Sequence, residues 1–208
     1  FGGLASSTAV VGTMLDHVRQ RPAATAYAVA AVLLADAAMA LRNLVIALVF
    51  TIETGVLFGA IVPLGAVIVG SVVVAAVTAD WRETVDIDLT SPFSLRRALG
   101  FGAVFLLIVL AGSGAQDLFG TAGFYATAAI SGLVSSAGAT TSAVLLYRAG
   151  DLTSSQAVFA VLLATGASII VKAGLTLASP NRQFAYRVSL WSVVLLVGAT
   201  IVTVAITV

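Results

Sequence analysis

The chain has 208 residues, of which 60% are hydrophobic and 9% are charged, with a formal net charge of +1 and a mean hydropathy of +1.12. About a quarter of the residues of a soluble domain are charged, so this composition excludes a water-soluble globular protein. The absence of cysteine excludes disulfides and thiol chemistry, and a single histidine is too few for an imidazole metal site.

Seven apolar segments are candidates to cross a lipid bilayer, for which a helix needs about 20 residues. They are predicted to be helices, because lipid offers no hydrogen-bond partner for unpaired backbone groups. The sequence therefore predicts an all-α polytopic integral membrane protein with about seven transmembrane helices. The segments are approximately 1–16, 23–51, 55–79, 98–115, 119–147, 155–178 and 184–208.

In chain order, the first segment carries a patch of small and hydroxyl-bearing residues at positions 2–8, including Ser6, Ser7 and Thr8. The second segment contains two charged residues, Asp36 and Arg42. In the third, Pro63 is expected to kink the helix, and Gly55 and Gly59 form a GxxxG motif that permits close helix packing.

A polar stretch from Asp80 to Arg97 separates the third and fourth segments and is interpreted as a solvated linker. The fifth segment carries a second small-residue patch at positions 131–142. That patch includes Ser135, Ser136, Thr140 and Thr141. The sixth segment contains one cation, Lys172.

The two patches belong to an internal repeat with a single, constant offset. The sequence GLASS at 3–7 returns as GLVSS at 132–136, Arg19 returns as Arg148, and AVAAVLLA at 28–35 returns as AVFAVLLA at 157–164. We interpret this as a duplicated membrane unit, a common construction of transporters. The domains are then 1–90, with the start of the linker, and 91–208. Phe1 corresponds to Ile130 in mid-segment, which predicts that the first helix lacks its first half.

If all seven segments span the membrane, six arginines lie on one side and Arg182 and Arg187 lie on the other. The excess of positive charge favours the first side as cytoplasmic and places the C-terminus there. Four spans per period would make the two repeats parallel, whereas one re-entrant segment would invert one half. The six arginines are Arg19, Arg21, Arg82, Arg96, Arg97 and Arg148.

The patches allow two interpretations. Glycine loosens a helix and hydroxyls can bond the freed backbone groups, so a helix broken at the midplane could hold an ion or an anionic group. Alternatively, the small residues only let helices pack closely.

Charges inside the membrane usually face a cavity, a partner or a substrate path. Arg42 and Lys172 would then set charge selectivity, with Asp36 as counter-ion or proton acceptor. The alternative is a structural role: an ion pair of Asp36 with Lys172, or Arg42 and Lys172 extending towards the surface.

Several stretches together resemble a family of membrane domains of unknown function, DUF4010, the C-terminal domain of MgtC/SapB-like bacterial membrane proteins. They are GGLASSTAV at 2–10, Leu41-Arg42, Ser91-Pro92-Phe93, Gly123-Phe124-Tyr125, ISGLVSSAGATTSAV at 130–144 and Val171-Lys172-Ala173.

The resemblance implies a multi-pass protein of the bacterial or archaeal cytoplasmic membrane, preceded by an MgtC-like helical domain. Many members of the family carry aspartates where this chain has Ser135 and Ala137, and asparagine where it has Ser168. These differences remove the oxygen ligands that Mg²⁺ prefers.

We therefore expect a transporter or channel for a small ion or solute, with a site between the two repeats near the bilayer midplane. The competing hypothesis is a non-transporting scaffold or regulatory subunit of a membrane complex. No catalytic set, metal site or cofactor is predicted, and we expect no enzyme. The expected partners are the lipid bilayer and either a second copy or a membrane-complex subunit, and not nucleic acid. The predicted substrate-binding residues are Ser6, Ser7, Thr8, Asp36, Arg42, Ser135, Ser136, Thr140, Thr141 and Lys172.

Overall fold

The computed structural model describes residues 2–79 and 95–207, and within these residues the regular structure is entirely helical. Short 3₁₀ turns at Pro22–Ala24 and Phe58–Ala60 precede α2 and α3. The helices are α1 (Gly2–Gln20), α2 (Thr25–Val49), α3 (Ile61–Thr78), α4 (Leu95–Val134), α5 (Ser136–Ala149), α6 (Ser154–Thr176) and α7 (Arg182–Thr207). Most of the predicted linker, residues 80–94, lies outside the described ranges.

Four of these helical stretches are long and apolar enough to cross a membrane. Large apolar side chains project outward from the fold, such as Val77 at 81% and Leu118 at 77% exposure. Such an apolar exterior is stable only in lipid, so this is a membrane-embedded protein. The four stretches are Pro22–Val49, Phe58–Thr78, Ser154–Thr176 and Arg182–Ala205.

Helix α2 lies at the centre of the molecule and packs against α1, α3, α5, α6 and α7. Its sequence explains this position, because nine of its 25 residues are alanines, whose small side chains allow neighbours on several sides. Buried alanines such as Ala28, Ala40 and Ala47 are completely inaccessible. Close packing of small residues is the usual basis of helix association in lipid.

Helices α2 and α6 run antiparallel, as three side-chain contacts show. Thr25 near the start of α2 accepts a hydrogen bond from Asn181, beyond the end of α6. Further along, Asp36 pairs with Lys172, and Asn43 bonds Thr165. Residue numbers thus rise along α2 while they fall along α6. Seven alternating spans would make these two helices parallel, so that prediction is wrong for α2 and α6.

Two local predictions for the third segment are also wrong. Pro63 does not kink a helix: α3 begins at Ile61, so Pro63 lies in the first turn, where a missing N–H costs no helical bond. Gly55 is not on a helix face but in the turn before α3, with a positive φ of 110° that favours glycine. Its carbonyl accepts a hydrogen bond from the Tyr147 hydroxyl at 2.9 Å, which ties this turn to α5.

Candidate functional site

Both small-residue patches interrupt a helix at a serine. Ser6 has φ −158° and ψ 103°, within α1, and Ser135 has φ −154° and ψ 101°, between α4 and α5. Each serine oxygen accepts a hydrogen bond at 3.2 Å from the backbone N–H three residues on, at Ala9 and Gly138. Each serine is therefore the N-cap of the helix that follows. Of the two interpretations that the sequence left open, the helix break is therefore present in both patches.

The first break lies beside a buried ion pair. The Lys172 ammonium donates to the Asp36 carboxylate and, at 3.2 Å, to the Ser7 hydroxyl and the Met39 sulfur. Both charged side chains are only 1% exposed. The pair connects α2 to α6, and Ser7 adds α1 to the same cluster. The ion pair that the sequence offered as the structural alternative for these two charges is therefore present.

One half of the Asp36 carboxylate is left open. The oxygen Oδ1 is bonded to Lys172, whereas Oδ2 is buried and has no hydrogen-bond partner among the described residues. Arg42 is half-buried on the same helix, six residues after Asp36. A buried carboxylate oxygen without a donor costs free energy, so Oδ2 is an acceptor that a proton, a hydrogen-bond donor or a cation would satisfy.

A second polar contact lies further along the same helix pair. The Asn43 amide nitrogen donates at 3.0 Å to the Thr165 hydroxyl, and both residues are buried. Neither residue is charged, so neither was predicted; Arg42, the nearest charged residue on α2, lies one position out of register with Lys172. Asn43 occupies the position equivalent to Lys172 under the offset that relates Gly3 to Gly132. Applying this offset to Lys172 therefore identifies Asn43.

The remaining predicted residues do not all join this cluster. Thr8 is exposed, because it lies about 100° around the helix from Ser7. Thr141 is half-buried and uses its hydroxyl within its own helix, at 2.9 Å from the Ala137 carbonyl. Ser136 and Thr140 are buried on α5, and the Thr140 hydroxyl has no hydrogen-bond partner within the described part of the chain.

The second patch also packs closely. A Cβ atom added at Gly132 would lie 2.5 Å from the Ala164 carbonyl oxygen and 2.6 Å from its Cα. Glycine at this position therefore lets the backbones of α4 and α6 touch. The close-packing interpretation of the patches is correct for Gly132, while the helix-break interpretation is correct for Ser135.

The ion pair is closed to solvent in this conformation, since Asp36 and Lys172 are almost inaccessible. A groove of about 560 Å³ lies instead at one end of the molecule. It is lined by Arg19 and by Leu177, Ala178, Ser179, Pro180 and Arg182. Across the described residues, no three His, Asp or Glu side chains lie close enough together to bind a metal ion.

These features define a membrane-embedded helical protein with a buried ion pair next to an interrupted helix. The chain belongs to the DUF4010 family: the model of this domain of unknown function matches residues 1–179. No curated protein and no solved structure matches the chain.

Proposed function

We propose that this chain is a membrane transporter for a small ion or solute, located in the cytoplasmic membrane of a bacterium or archaeon. Its site would lie between the two repeats, at Asp36, Lys172 and Ser7. The observation that carries the proposal is the ion pair buried between two membrane-length helices. Charged groups in such places are costly and usually mark a transport path.

The incomplete bonding of Asp36 supports this proposal. A purely structural ion pair is most stable when both carboxylate oxygens have donors, but Oδ2 has none among the residues described. A proton or a small cation that binds there competes with Lys172 for the carboxylate. Such competition weakens the link between α2 and α6, and it provides a way to couple occupancy to helix movement.

The interrupted helix gives the same site a second set of polar groups. At Ser6 the regular hydrogen bonding of α1 is broken, and Ser7, the next residue, contacts Lys172. Backbone groups at such a break can bind an ion inside the membrane, as the discontinuous helices of transporters do. The proposed site thus combines one carboxylate, one ammonium group and the end of a half-helix.

Flux through proteoliposomes that contain the full-length protein tests this proposal. Proton, Na⁺, K⁺, Mg²⁺ and anion reporters are run in parallel on wild type, Asp36→Asn and Lys172→Met. Thr8→Ala is the matched control, because Thr8 is exposed and adjacent to Ser7. We expect flux of at least one ion in wild type and in the control, and a loss of that flux in both site variants.

A charge-reversed variant, Asp36→Lys with Lys172→Asp, separates transport from structure. It keeps an ion pair between α2 and α6 but moves the carboxylate from α2 to α6 and removes the ammonium group that contacts Ser7. We expect a folded protein without flux. Equal flux in wild type and in this variant would contradict the proposed site.

A scaffold or regulatory subunit is the second candidate function. Two observations favour it: the ion pair is closed to solvent, and α4 packs against α6 at Gly132 without room for a Cβ atom. Folded wild-type protein that carries none of the five ions would support this function. The charge-reversed variant, which keeps an ion pair between α2 and α6, would then retain this scaffold or regulatory function in cells.

A further inference from the structure

The two polar contacts between α2 and α6 are related by the offset of the sequence repeat. Asn43 and Lys172 occupy equivalent positions of the repeat, and so do Asp36 and Thr165. The contact of Lys172 with Asp36 therefore becomes the contact of Asn43 with Thr165 when the two helices are exchanged. The two contacts are equivalent in position and different in charge.

Charged residues at the two ends of the molecule are related by the same repeat offset. Arg148 lies 4.0 Å from Glu53 at one end. The repeat-equivalent positions of these two residues are Arg19 and Arg182, and both line the groove at the other end. The breaks at Ser6 and Ser135, with nearly identical backbone angles and identical cap bonds, are a third equivalent pair.

The operation that exchanges α2 and α6 also reverses the direction of the chain. Because α2 and α6 are antiparallel, the operation that exchanges them is a two-fold rotation about an axis perpendicular to both helices. The axis lies midway between the two helices, level with Met39 and Ala40 of α2 and with Ser168 and Ile169 of α6. Since both helices are membrane-length, such an axis lies in the plane of the membrane, as it does in transporters with inverted repeats.

We propose that this chain is an inverted-topology repeat, and that Asn43 and Thr165 form a second, uncharged half of the transport site. The topology is independent of the proposed function, whereas the role of the second half-site rests on it. A substrate that crosses the axis would meet the ion pair on one side and the amide and hydroxyl groups on the other.

The chemistry of the two half-sites limits the ligand. Asn43 Oδ1 is buried and has no hydrogen-bond partner among the described residues, like Asp36 Oδ2. The Thr165 hydroxyl donates to the Val161 carbonyl at 2.8 Å, so it is not available to donate to a ligand. Asn43 Oδ1 and Asp36 Oδ2 are both hydrogen-bond acceptors. They lie on one face of α2, two helical turns apart. The ligand that completes them is a small monovalent cation or a protonated group, rather than an anion.

The positions of the arginines predict which end of the molecule faces the cytoplasm. Arg19, Arg21 and Arg182 lie at or next to the end with the groove, whereas Arg148 lies at the opposite end beside Glu53. The excess of positive charge favours the groove end as cytoplasmic. Helix α7 starts at that end with Arg182, so the C-terminus would be on the outer side. This replaces the cytoplasmic C-terminus that seven alternating spans predict.

Cysteine labelling tests the topology directly, because the chain contains no cysteine. Gln20→Cys and Ala149→Cys occupy equivalent, exposed positions, the last residues of α1 and α5. A membrane-impermeant maleimide is applied to intact cells that express the full-length protein, before and after permeabilisation. We expect Ala149→Cys to react in intact cells and Gln20→Cys only after permeabilisation.

Ala178→Cys is the internal control, since Ala178 lines the groove beside Arg19 and should behave like Gln20→Cys. The full-length protein without these substitutions gives the background reactivity. Labelling of both test positions from the same side would show parallel repeats and overturn the inverted topology.

Transplanting the ion pair across the axis tests the second half-site without any transport assay. Asn43→Lys alone or Thr165→Asp alone buries an unpaired charge and should lower the Tm by roughly 5–10 °C. The double variant forms the pair at the equivalent position, so we expect it to recover most of that loss. A double variant no more stable than the single ones would contradict the equivalence of the two half-sites.

The flux assay then tests the role of Asn43. We expect Asn43→Leu to lower cation flux at least tenfold, with Thr8→Ala unchanged. Normal flux in folded Asn43→Leu protein would overturn the second half-site but leave the proposed function intact. If wild type carries no ion, the proposed function fails and the half-site loses its transport role, while the labelling result still decides the topology.

Discussion

At the scale of residues, the most demanding feature is the buried pair of Asp36 and Lys172. Two charges taken out of water lose several kcal/mol of hydration free energy each, and their attraction recovers this only when the geometry is good. The Ser7 hydroxyl and the Met39 sulfur complete the surroundings of the ammonium group. One carboxylate oxygen has no donor among the described residues, and this imbalance supports the transport proposal.

Removal of one partner of this pair should be strongly destabilising. Lys172→Met leaves an unpaired buried carboxylate, and we expect a loss of about 3–5 kcal/mol in the free energy of unfolding. The double variant Asp36→Leu with Lys172→Met should lose less, because no charge stays buried. Denaturant titration of the purified protein in detergent measures both values.

The control for that experiment is Arg148→Ala, which removes an exposed ion pair with Glu53 at 4.0 Å. Exposed pairs contribute little, so no measurable change is expected. A Lys172→Met protein as stable as wild type would show that the buried pair does not hold α2 and α6 together.

The sequence predicted only some of the residues of the site. Asp36, Lys172 and Ser7 were all predicted, because charges and hydroxyls stand out in an apolar segment. Asn43 and Thr165 were not, since an amide and a hydroxyl in a membrane helix attract no notice until the repeat offset is applied to Lys172 and Asp36. Thr8 was also predicted but lies outside this cluster and is exposed, because adjacent residues on a helix face different directions.

At the scale of elements, glycine and serine decide where helices end and how closely they approach. Ser6 and Ser135 stop one helix and cap the next. Gly132 lets α4 contact the backbone of α6. The same patch therefore contains a residue for a helix break and a residue for close packing.

Alanine substitution distinguishes a glycine that is required for close packing from one whose surroundings have room for a Cβ atom. Gly132→Ala places a Cβ atom 2.5 Å from the Ala164 carbonyl, and we expect it to destabilise the protein by about 1–3 kcal/mol. Gly174→Ala, in α6 with no atom within 4 Å of the added carbon, should stabilise it by about 0.5–1 kcal/mol. Thermal unfolding of both variants gives the comparison, and equal effects would refute the close contact of α4 with α6.

At the scale of the whole molecule, the apolar exterior defines the solvent of the protein. Residues that face outward on α3 are as apolar as its buried face, with Val69 at 63% and Val73 at 53% exposure. A helix that is apolar all round is stable in lipid and aggregates in water. The outer face of α3 is therefore suited to lipid.

A charge on the outer face of α3 tests this directly. Val69 lies near the middle of α3, so Val69→Lys should cost about 2.5–3.5 kcal/mol of insertion free energy and lower the yield in the membrane fraction. Ile52→Lys is the control, because Ile52 is 66% exposed in the turn after α2. Equal membrane yields for the two variants would show that Val69 does not face lipid.

The sequence by itself determined the class of this protein, because apolar length and low charge leave lipid as the only suitable solvent. It also identified both small-residue patches and the charged residues of the site, since these depend on local chemistry, but it left open whether the patches break a helix or only pack closely. Only the tertiary structure decided the pairing of Asp36 with Lys172, the contact of Asn43 with Thr165 and the antiparallel direction of α2 and α6. Those depend on contacts between residues far apart in the chain, whose geometry no local pattern contains.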